Sequence, residues 1–342
     1  MSAMRRRRGA FIIAEAGVNH NGSLETAKAL VRQAHRAGAD AVKFQTFRAE
    51  ALAAAGLEKA EYQKRSSGAA ESQLSMLRRL ELGVEEHHEL VRFCRSQRIM
   101  FLSTPFDEQS ADLLESLGVP MLKIGSGELT NLPFLRHVAK KKRPLLLSTG
   151  MANLGEVEEA LEAVFSTGNR QVTLLHCVTE YPAPPEEVNL RAMHTLRRAF
   201  GLNVGYSDHT EGIEIALAAV AMGAAVIEKH FTLDRGSDGP DHGSSLEPPV
   251  FAGMVRAIRN VEDALGDGRK RAAPCELKNI PMARRSVVAL GAIAKGRVIT
   301  RDLLAVKRPG NGIAPRDLDK IVGLKARRSI PAGKAITWED LA

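Results

Sequence analysis

Over the first 265 residues, short apolar runs rich in Val, Ile, Leu and Phe alternate with longer amphipathic stretches. Eight of the runs predict strands, at Phe11–Glu15, Ala41–Gln45, Met100–Thr104, Met121–Ile124, Leu145–Ser148, Val172–Cys177, Val204–Ser207 and Ala225–His230. Helical periodicity separates them, over Leu24–Ala37, Glu85–Gln97, Glu108–Leu117, Leu154–Phe165 and Glu211–Met222. This alternation predicts an α/β fold of the (β/α)8 barrel type. A doubly wound sheet is the alternative, but no Gly-x-Gly-x-x-Gly follows the first strand.

Two parts of the chain fall outside this alternation. Arg48–Leu82 is a long, polar, helix-prone insertion after the second strand, which suggests a lid or a partner-contact segment. Beyond a linker at residues 269–283, a weak repeat with a period of 37 residues matches Ile293, Gly296, Ile299 and Thr300 to Ile330, Gly333, Ile336 and Thr337. We therefore predict a barrel domain at 1–268 and a small, pseudo-symmetric, β-rich domain at 284–342.

The composition excludes several protein classes. With 44% apolar and 26% charged residues the chain has enough apolar side chains for a large core, which excludes disorder as its main state. The longest near-apolar stretch, Ile213–Ile227, is too short for a membrane span. Three scattered cysteines fit reduced thiols in the cytoplasm. The arginines at Arg5–Arg8 precede no apolar segment, so we interpret them as a solvated arm rather than a secretory signal.

The charge is concentrated at the carboxyl end. The chain has a net charge of +8, and residues 269–342 hold 17 Lys and Arg against 6 Asp and Glu. Such a module could bind nucleic acid, an acidic partner or an anionic small substrate. Trp338 is its only aromatic residue, so it lacks surfaces on which bases stack, and we expect no nucleic acid partner.

The candidate chemistry lies at the carboxyl ends of the predicted strands, which meet at one mouth of a barrel. Lys43 and Lys123 would bring positive charge there. Neutral hydrogen-bond donors would come from Thr104, Ser126, Ser148 and Ser207. Together they predict a site for a phosphate or carboxylate. A Schiff-base lysine is the alternative.

Two histidines end neighbouring strands, His209 after the seventh and His230 on the eighth. Two imidazoles that close could bind a metal such as Mn²⁺, although a single histidine is more often an ordinary hydrogen-bonded residue. His87 and His88 lie among charged residues of a helix, and we expect both to be exposed.

Carboxylates at the same mouth could transfer protons. Glu15 and Glu128 are the candidates for acid–base catalysis, and ion pairing with Lys43 or Lys123 is the alternative. Asp241 lies in a loop after the eighth strand, where its carboxylate could bind sugar hydroxyls.

Ten segments in order along the chain resemble the sialic acid (nonulosonic acid) synthase family. They are Ile13–Gly22, Val42–Thr46, Ser103–Phe106, Lys123–Glu128, Leu147–Met151, Leu175–Cys177, Glu180–Pro182, Tyr206–Thr210, Glu228–Thr232 and Gly239–Asp241. In addition, Val306–Gly312 resembles the family's antifreeze-protein-like domain, a SAF domain of the β-clip type. The resemblance therefore covers essentially the whole chain.

The resemblance implies a reaction. Phosphoenolpyruvate would condense with N-acetylmannosamine and water to give N-acetylneuraminate and phosphate. The alternative sugar is 2,4-diacetamido-2,4,6-trideoxymannose, which would give N,N′-diacetyllegionaminate. Two segments, Met151–Gly155 and Val204–Asp208, look like the legionaminate branch. A Schiff-base aldolase is a further alternative.

The resemblance also implies roles for individual residues. His209 and His230 would hold a divalent metal, most often Mn²⁺, with Mg²⁺ or Co²⁺ as alternatives. The enzyme would be a domain-swapped homodimer in which Arg308 of the partner subunit contacts the sugar. The residues that would hold phosphoenolpyruvate are Lys43, Lys123, Thr104, Ser126, Ser148, Thr179 and Ser207. Those that would bind the sugar in the same chain are Gln45, Tyr181 and Asp241.

Overall fold

The computed structural model describes residues 9–54, 59 and 72–342. The arm at Arg5–Arg8 and residues 55–58 and 60–71 of the predicted insertion lie outside the described residues. The chain divides between Gly266 and Asp267 into two units, which are described separately.

Eight parallel strands form the first unit's sheet. They are β1 Phe11–Gly17, β2 Ala41–Thr46, β3 Met100–Pro105, β4 Leu122–Ile124, β5 Leu145–Ser148, β6 Val172–His176, β7 Asn203–Asp208 and β8 Val226–His230. Their order in the sheet is β3-β2-β1-β8-β7-β6-β5-β4, a nearly closed barrel. The predicted (β/α)8 fold is confirmed, and each strand lies within two residues of its predicted position.

Helices follow the strands along the chain. The structure describes α1 Leu24–Arg36, α2 Ala49–Leu52, α3 Gln73–Leu80, α4 Val84–Ser96, α5 Glu108–Ser116, α6 Leu132–Lys140, α7 Leu154–Ser166, α8 Ala192–Phe200, α9 Glu214–Ala221 and α10 Pro248–Leu265. In α1 the buried residues Ala27, Leu30, Val31 and Ala34 repeat at helical spacing, which is why that stretch folds as a helix on the barrel. Among the described residues, no helix combines the length and apolarity needed to cross a bilayer.

The barrel interior contains an apolar layer below the mouth. It is formed by Ile13, Ala41, Leu102, Met121, Leu146, Leu175 and Val226, of which Met121 immediately precedes β4 and the others lie on six different strands. The residue at this level of β7 is Gly205, where a Cβ would lie 2.5 Å from the Val226 carbonyl oxygen. Because side chains alternate along a strand, the residue two positions after each member also points into the barrel.

The second unit has a two-stranded antiparallel sheet, β9 Ser286–Ala289 and β10 Leu304–Lys307, with short helices α11 Ile280–Ala283 and α12 Leu318–Ile321. Its two repeats pair with each other, because Ile293 and Ile330 exchange backbone hydrogen bonds of 2.9 Å. Ile299 and Ile336, another repeat-related pair, are fully buried in its core. The predicted pseudo-symmetric, β-rich module is confirmed.

One buried carboxylate connects several segments of this unit. The Oδ1 atom of Asp340 accepts hydrogen bonds from Arg328 (2.5 Å) and Lys334 (2.9 Å), and its Oδ2 atom accepts from the backbone and hydroxyl of Thr337. Burial alone would raise the pKa of Asp340, but these hydrogen bonds outweigh burial and lower it. Its ionised form is therefore part of the fold.

We expect Asp340→Asn to destabilise the second unit by about 2 kcal/mol, because hydrogen bonds to a charged group are lost. The folded pKa lies below the unfolded value. The stabilisation should therefore be complete above the unfolded pKa of about 4 and be lost as the pH falls through the folded one. Thermal unfolding of the full chain between pH 3 and pH 7 measures this. Asp302→Asn, at an exposed position, is the control and should change little. Equal curves for Asp340→Asn and wild type would contradict the assignment.

Candidate active site

The residues two positions beyond the interior layer line one cavity at the carboxyl ends of the strands. They are Glu15, Lys43, Thr104, Lys123, Ser148, Cys177, Ser207 and Glu228, one from each strand or its immediate end. The cavity has a volume of about 360 Å³. It also contains the candidates Gln45, Ser126, Thr179, Tyr181, His209, His230 and Asp241. Strand alternation thus brings most of the predicted residues together.

Positively and negatively charged side chains alternate across the floor of the cavity, which is formed by Glu15, Lys43, Glu228 and Lys123. Strand register places Glu15 beside Lys43, and the Lys43 Nζ atom lies 2.6 Å from Glu15 Oε2 and 3.7 Å from Glu228 Oε2. Lys123 Nζ lies 3.3 Å from Glu228 Oε1, which also accepts a 2.8 Å hydrogen bond from Ser207. The two ammonium groups are thus almost balanced by two carboxylates before any substrate binds.

Burial and these neighbours set the protonation of the cluster. Burial raises the pKa of Glu15 to about 7, with Lys43 opposing the rise and Glu228 adding to it. Burial acts in the same direction on Glu228, but Lys123 and Lys43 outweigh it and lower its pKa to about 2. Burial would lower the pKa of Lys43, yet Glu15 and Glu228 raise it. A Schiff-base lysine needs a lowered pKa, so this environment disfavours that chemistry at Lys43.

Hydroxyl groups form the adjoining wall. The Oγ of Ser148 and the Oγ1 of Thr179 are buried and have no hydrogen-bond partner within the described parts of the chain. Ser126 Oγ accepts a 3.0 Å hydrogen bond from the Gly150 amide and lies 3.1 Å from Cys177 Sγ. A Cβ at Gly150 would lie 2.4 Å from the Thr179 hydroxyl, so only glycine permits this packing. Unpartnered buried hydroxyls are costly, which indicates that a ligand oxygen completes this wall.

The two predicted metal ligands lie together, with ring centroids 5.4 Å apart. His209 Nδ1 donates a 2.5 Å hydrogen bond to the Val178 carbonyl, which leaves its Nε2 as the free electron-pair donor. Burial lowers the pKa of His209 to about 4 and that of His230 well below its usual value. Both rings are therefore neutral, as a metal ligand must be.

These residues fit a metal that keeps open coordination positions. His230 Nδ1 is buried without a hydrogen-bond partner among the described residues and lies 3.9 Å from Asp241 Oδ2. No group of three or more His, Cys, Asp and Glu side chains in the described parts of the chain could hold a metal ion. The chain would thus supply two imidazoles and leave the other positions to water and substrate oxygens.

A buried ion pair outside the cavity fixes the backbone beside both histidines. Lys229 Nζ donates to Asp208 Oδ2 (2.9 Å) and to the Thr210 carbonyl (2.5 Å), and both charged side chains are fully buried. Asp208 Oδ1 accepts from the amide and the hydroxyl of Thr210. Since Asp208 precedes His209 and Lys229 precedes His230, this pair determines the spacing of the imidazoles.

We expect Lys229→Met to destabilise the protein by about 3–5 kcal/mol, because it leaves a buried carboxylate unpaired. It should also weaken Mn²⁺ binding by about 10–100-fold, as loss of an outer-shell partner does. Denaturant unfolding and a Mn²⁺ titration of the metal-free protein measure the two effects. The Asp208→Asn, Lys229→Met double variant is the matched control. It should regain much of the stability but not the affinity. Wild-type affinity in the single variant would contradict this role.

Three residues remain: Glu128 and Arg308, which are not among the residues that line the cavity, and His87, whose expected exposure is not found. Glu128 is half-buried, accepts a 2.7 Å hydrogen bond from Asn131 and does not line the cavity. Arg308 belongs to the second unit, where its Nε donates to the Ala283 carbonyl. The expected exposure of His87 is wrong, because Thr46 and the Gly83 carbonyl bind its buried ring, whereas His88 is exposed.

Of the inward-facing residues at the strand ends, the sequence analysis does not include Glu228 and Cys177 among the candidates. Glu228 lies within reach of both lysines. Cys177 lines the cavity, whereas the preceding His176 donates to the Val188 carbonyl instead. Counting two positions onward from Val226 and Leu175 in the interior layer would have found both.

Comparison with known proteins identifies relatives over the whole length. The model of the NeuB family matches residues 30–270, and that of the SAF domain matches residues 284–342. The chain is 51% identical to the N,N′-diacetyllegionaminic acid synthase of Campylobacter jejuni, over 93% of this chain and 96% of that protein. It is 49% identical to the synthase of that name from Legionella pneumophila, over 97% and 94%. The crystal structure of an N-acetylneuraminic acid synthetase from Leptospira borgpetersenii superposes with a TM-score of 0.70, at 34% identity over 80% of this chain and 90% of that one.

Proposed function

The chain belongs to the NeuB family, and we propose that within this family it acts as an N,N′-diacetyllegionaminic acid synthase. As a member it is a phosphoenolpyruvate-dependent enzyme that condenses this substrate with an acetamido sugar. The observation that carries the proposal is the identity of 51% and 49% to synthases of that name, against 34% to a sialic acid synthetase. The sugar would be 2,4-diacetamido-2,4,6-trideoxymannose, the alternative in the sequence analysis, rather than N-acetylmannosamine.

Phosphoenolpyruvate would bind on the charged floor. Lys43 and Lys123 supply ammonium groups to its phosphate and carboxylate, with Thr104, Ser126 and Ser207 beside them. The unpartnered hydroxyls of Ser148 and Thr179 would donate to the same oxygens. Gln45, Tyr181 and Asp241 line the same cavity and would bind the sugar, so C3 of a bound phosphoenolpyruvate would face it. Much of the rate gain would come from this positioning.

His209 and His230 would hold a divalent metal, for which Mn²⁺ or Co²⁺ suits imidazole ligands better than Mg²⁺, which prefers oxygen. When bound, it would supply Lewis-acid polarisation of the sugar's aldehyde oxygen. The ammonium and carboxylate groups of the floor nearly cancel in charge. The positive charge of a bound metal would therefore favour binding of a multiply charged anion.

Glu15 is suited to the proton transfers. The electron pair of the phosphoenolpyruvate double bond forms the new bond from C3 to the sugar C1, which leaves positive charge at C2. Water adds to C2, and Glu15 passes the proton it loses to the former aldehyde oxygen. The bond from C2 to the phosphate oxygen then breaks. The C2 hydroxyl proton leaves with the phosphate, and a 2-keto acid remains. Buried beside Lys43 with a pKa near 7, Glu15 can accept and return a proton at neutral pH.

The test is phosphate release from phosphoenolpyruvate with Mn²⁺, each sugar being offered separately, with EDTA as control. Release only with the 6-deoxy diacetamido sugar, or strongly preferred with it, supports the proposal. Preferred release with N-acetylmannosamine would make the enzyme a sialic acid synthase instead. Trapping of a lysine by borohydride with pyruvate would overturn the mechanism in favour of an aldolase.

We further propose a domain-swapped homodimer in which Arg308 of the partner subunit binds the sugar. The support is the match of Val306–Gly312 to the family's motif, together with the exposed position of this arginine. Arg308→Ala and His209→Ala should each be inactive. If each site combines both chains, refolding an equal mixture should restore about a quarter of wild-type activity, because half of the dimers then have one intact site. No recovery in mixed dimers would contradict the swap.

A further inference from the structure

The described part of the insertion after β2 forms an apolar wall of the cavity. Leu52 from α2 and Met76, Leu77 and Leu80 from α3 line it, and Val18 and Phe106 continue the wall from other loops. These side chains pack as one hydrophobic cluster, separate from the barrel core. The cavity therefore has a charged floor and an apolar wall, which a substrate must match on different sides.

One polar atom interrupts this wall. Gln73, the first residue of α3, lines the cavity, and its Oε1 atom is buried without a hydrogen-bond partner among the described residues. A buried amide oxygen without a hydrogen-bond partner is energetically unfavourable. An N–H or O–H group of a ligand in the cavity would remove that cost.

The two candidate sugars differ at the positions that such a wall can distinguish. N-acetylmannosamine has hydroxyl groups at C4 and C6. The diacetamido sugar has an acetamido N–H at C4 and a methyl group at C6. Phosphoenolpyruvate has no apolar face of comparable size, and its charged groups suit the lysines of the floor. The apolar wall is therefore expected to contact the sugar rather than phosphoenolpyruvate.

We propose that α3 selects the sugar, an inference that rests on the proposed function. The apolar wall receives the C6 methyl group, and Gln73 Oε1 accepts a hydrogen bond from the C4 acetamido N–H. A hydroxyl added to a group in an apolar pocket is rejected by about 10²-fold. The C4 hydroxyl of N-acetylmannosamine can donate to Gln73 Oε1 as well, so this hydrogen bond adds about tenfold to the binding of either sugar, and the selection is made at C6.

Four 2-acetamido mannose sugars test the proposal, with acetamido or hydroxyl at C4 combined with methyl or hydroxymethyl at C6. The measurement is kcat/KM for phosphate release. Gln73→Leu should lower kcat/KM about tenfold for sugars with either group at C4 and leave the C6 preference unchanged. Leu77→Gln should lower the C6 preference at least tenfold and leave the C4 preference unchanged.

Two further variants keep the test decisive. Leu74→Gln is the matched control, because Leu74 packs against the same cluster from the same helix but does not line the cavity; both preferences should stay at wild-type values. Leu52→Gln tests the wall from a second helix at a half-buried position, where a polar side chain is tolerated, should Leu77→Gln fold poorly. It should also lower the C6 preference. The KM for phosphoenolpyruvate should stay within about twofold throughout, since the floor is untouched.

The outcomes separate this inference from the proposed function. If wild type prefers N-acetylmannosamine, the proposed function fails and this inference fails with it. If wild type prefers the diacetamido sugar but Leu77→Gln and Leu52→Gln keep the C6 preference, α3 does not select the sugar, and the proposed function stands. The inference would also be overturned if Leu74→Gln lost as much of the C6 preference as Leu77→Gln. A general loosening of α3 would then explain the loss in both variants.

Discussion

Glu15→Gln is expected to lower kcat about 10³-fold while leaving the fold intact, because general acid–base catalysis contributes rate factors of this size. Glutamine has the same shape as glutamate but cannot accept the proton of the attacking water. Lys43 would lose its partner at 2.6 Å but keep Glu228 at 3.7 Å, so no buried ammonium is left without a carboxylate nearby. Steady-state phosphate release together with thermal unfolding measures both parts.

Glu128→Gln is the matched control, since it replaces the other candidate carboxylate in the same way. Glu128 does not line the cavity, and its carboxylate accepts a hydrogen bond from Asn131. We expect kcat to change less than about threefold. If Glu128→Gln removed turnover and Glu15→Gln did not, the proton-transfer role would move to Glu128. Its loop would then have to rearrange when substrate binds.

The barrel was predictable because its strands are short, apolar and separated by amphipathic stretches. The helices α6, α8 and α10 were not predicted. In α6, Pro133 follows the capping Asn131, and in α10 two prolines open the helix. Proline at a first helical turn is compatible with a helix, but in sequence it is easily read as a break. These helices are therefore recognised only in the folded structure, where their apolar faces pack against the barrel.

Most candidate site residues were predictable from one geometric rule, the convergence of strand ends at a barrel mouth. The rule does not determine which of two adjacent polar residues points inward. That choice depends on which alternate residues of each strand point into the barrel. The inward-pointing residues Ile13 and Val226 of the interior layer show this for β1 and β8. The same alternation gives Cys177 rather than the adjacent His176, and it adds Glu228, which points inward as His230 does two positions later.

The apolar wall was beyond the reach of strand-end reasoning, because it comes from an insertion. Arg48–Leu82 is polar on average, and the periodic placing of Met76, Leu77 and Leu80 gives α3 an apolar face. Which way that face points depends on packing with Val18 and Phe106, which lie far away in sequence. The suggestion of a lid or a partner-contact segment stays a prediction, and the contribution of this region to the cavity wall is what the sequence did not indicate.

If the imidazole pair holds a metal as proposed, His209→Asn is expected to weaken Mn²⁺ binding by at least about 100-fold, because one of the two imidazoles is lost and outer-shell changes alone cost 10–100-fold. Asparagine keeps a polar side chain of moderate size, so the backbone held by the Asp208–Lys229 pair should stay in place. Turnover should fall by at least about 10³-fold, since Lewis-acid stabilisation contributes several kcal/mol. Equilibrium dialysis of Mn²⁺ and phosphate release measure the two effects independently.

His176→Asn is the appropriate control for this loss. It removes a histidine from a neighbouring strand end whose ring binds the Val188 carbonyl and does not line the cavity. The His176→Asn variant should keep wild-type Mn²⁺ affinity.

A second control uses the wild-type enzyme. After its metal is removed by EDTA, it should regain turnover when Mn²⁺ is added back. Two neutral imidazoles with no third ligand among the described residues would bind a metal only moderately, so removal by chelation should be complete and reversible. Undiminished turnover after EDTA, with no metal detected in the protein, would show that the imidazole pair serves the substrate directly.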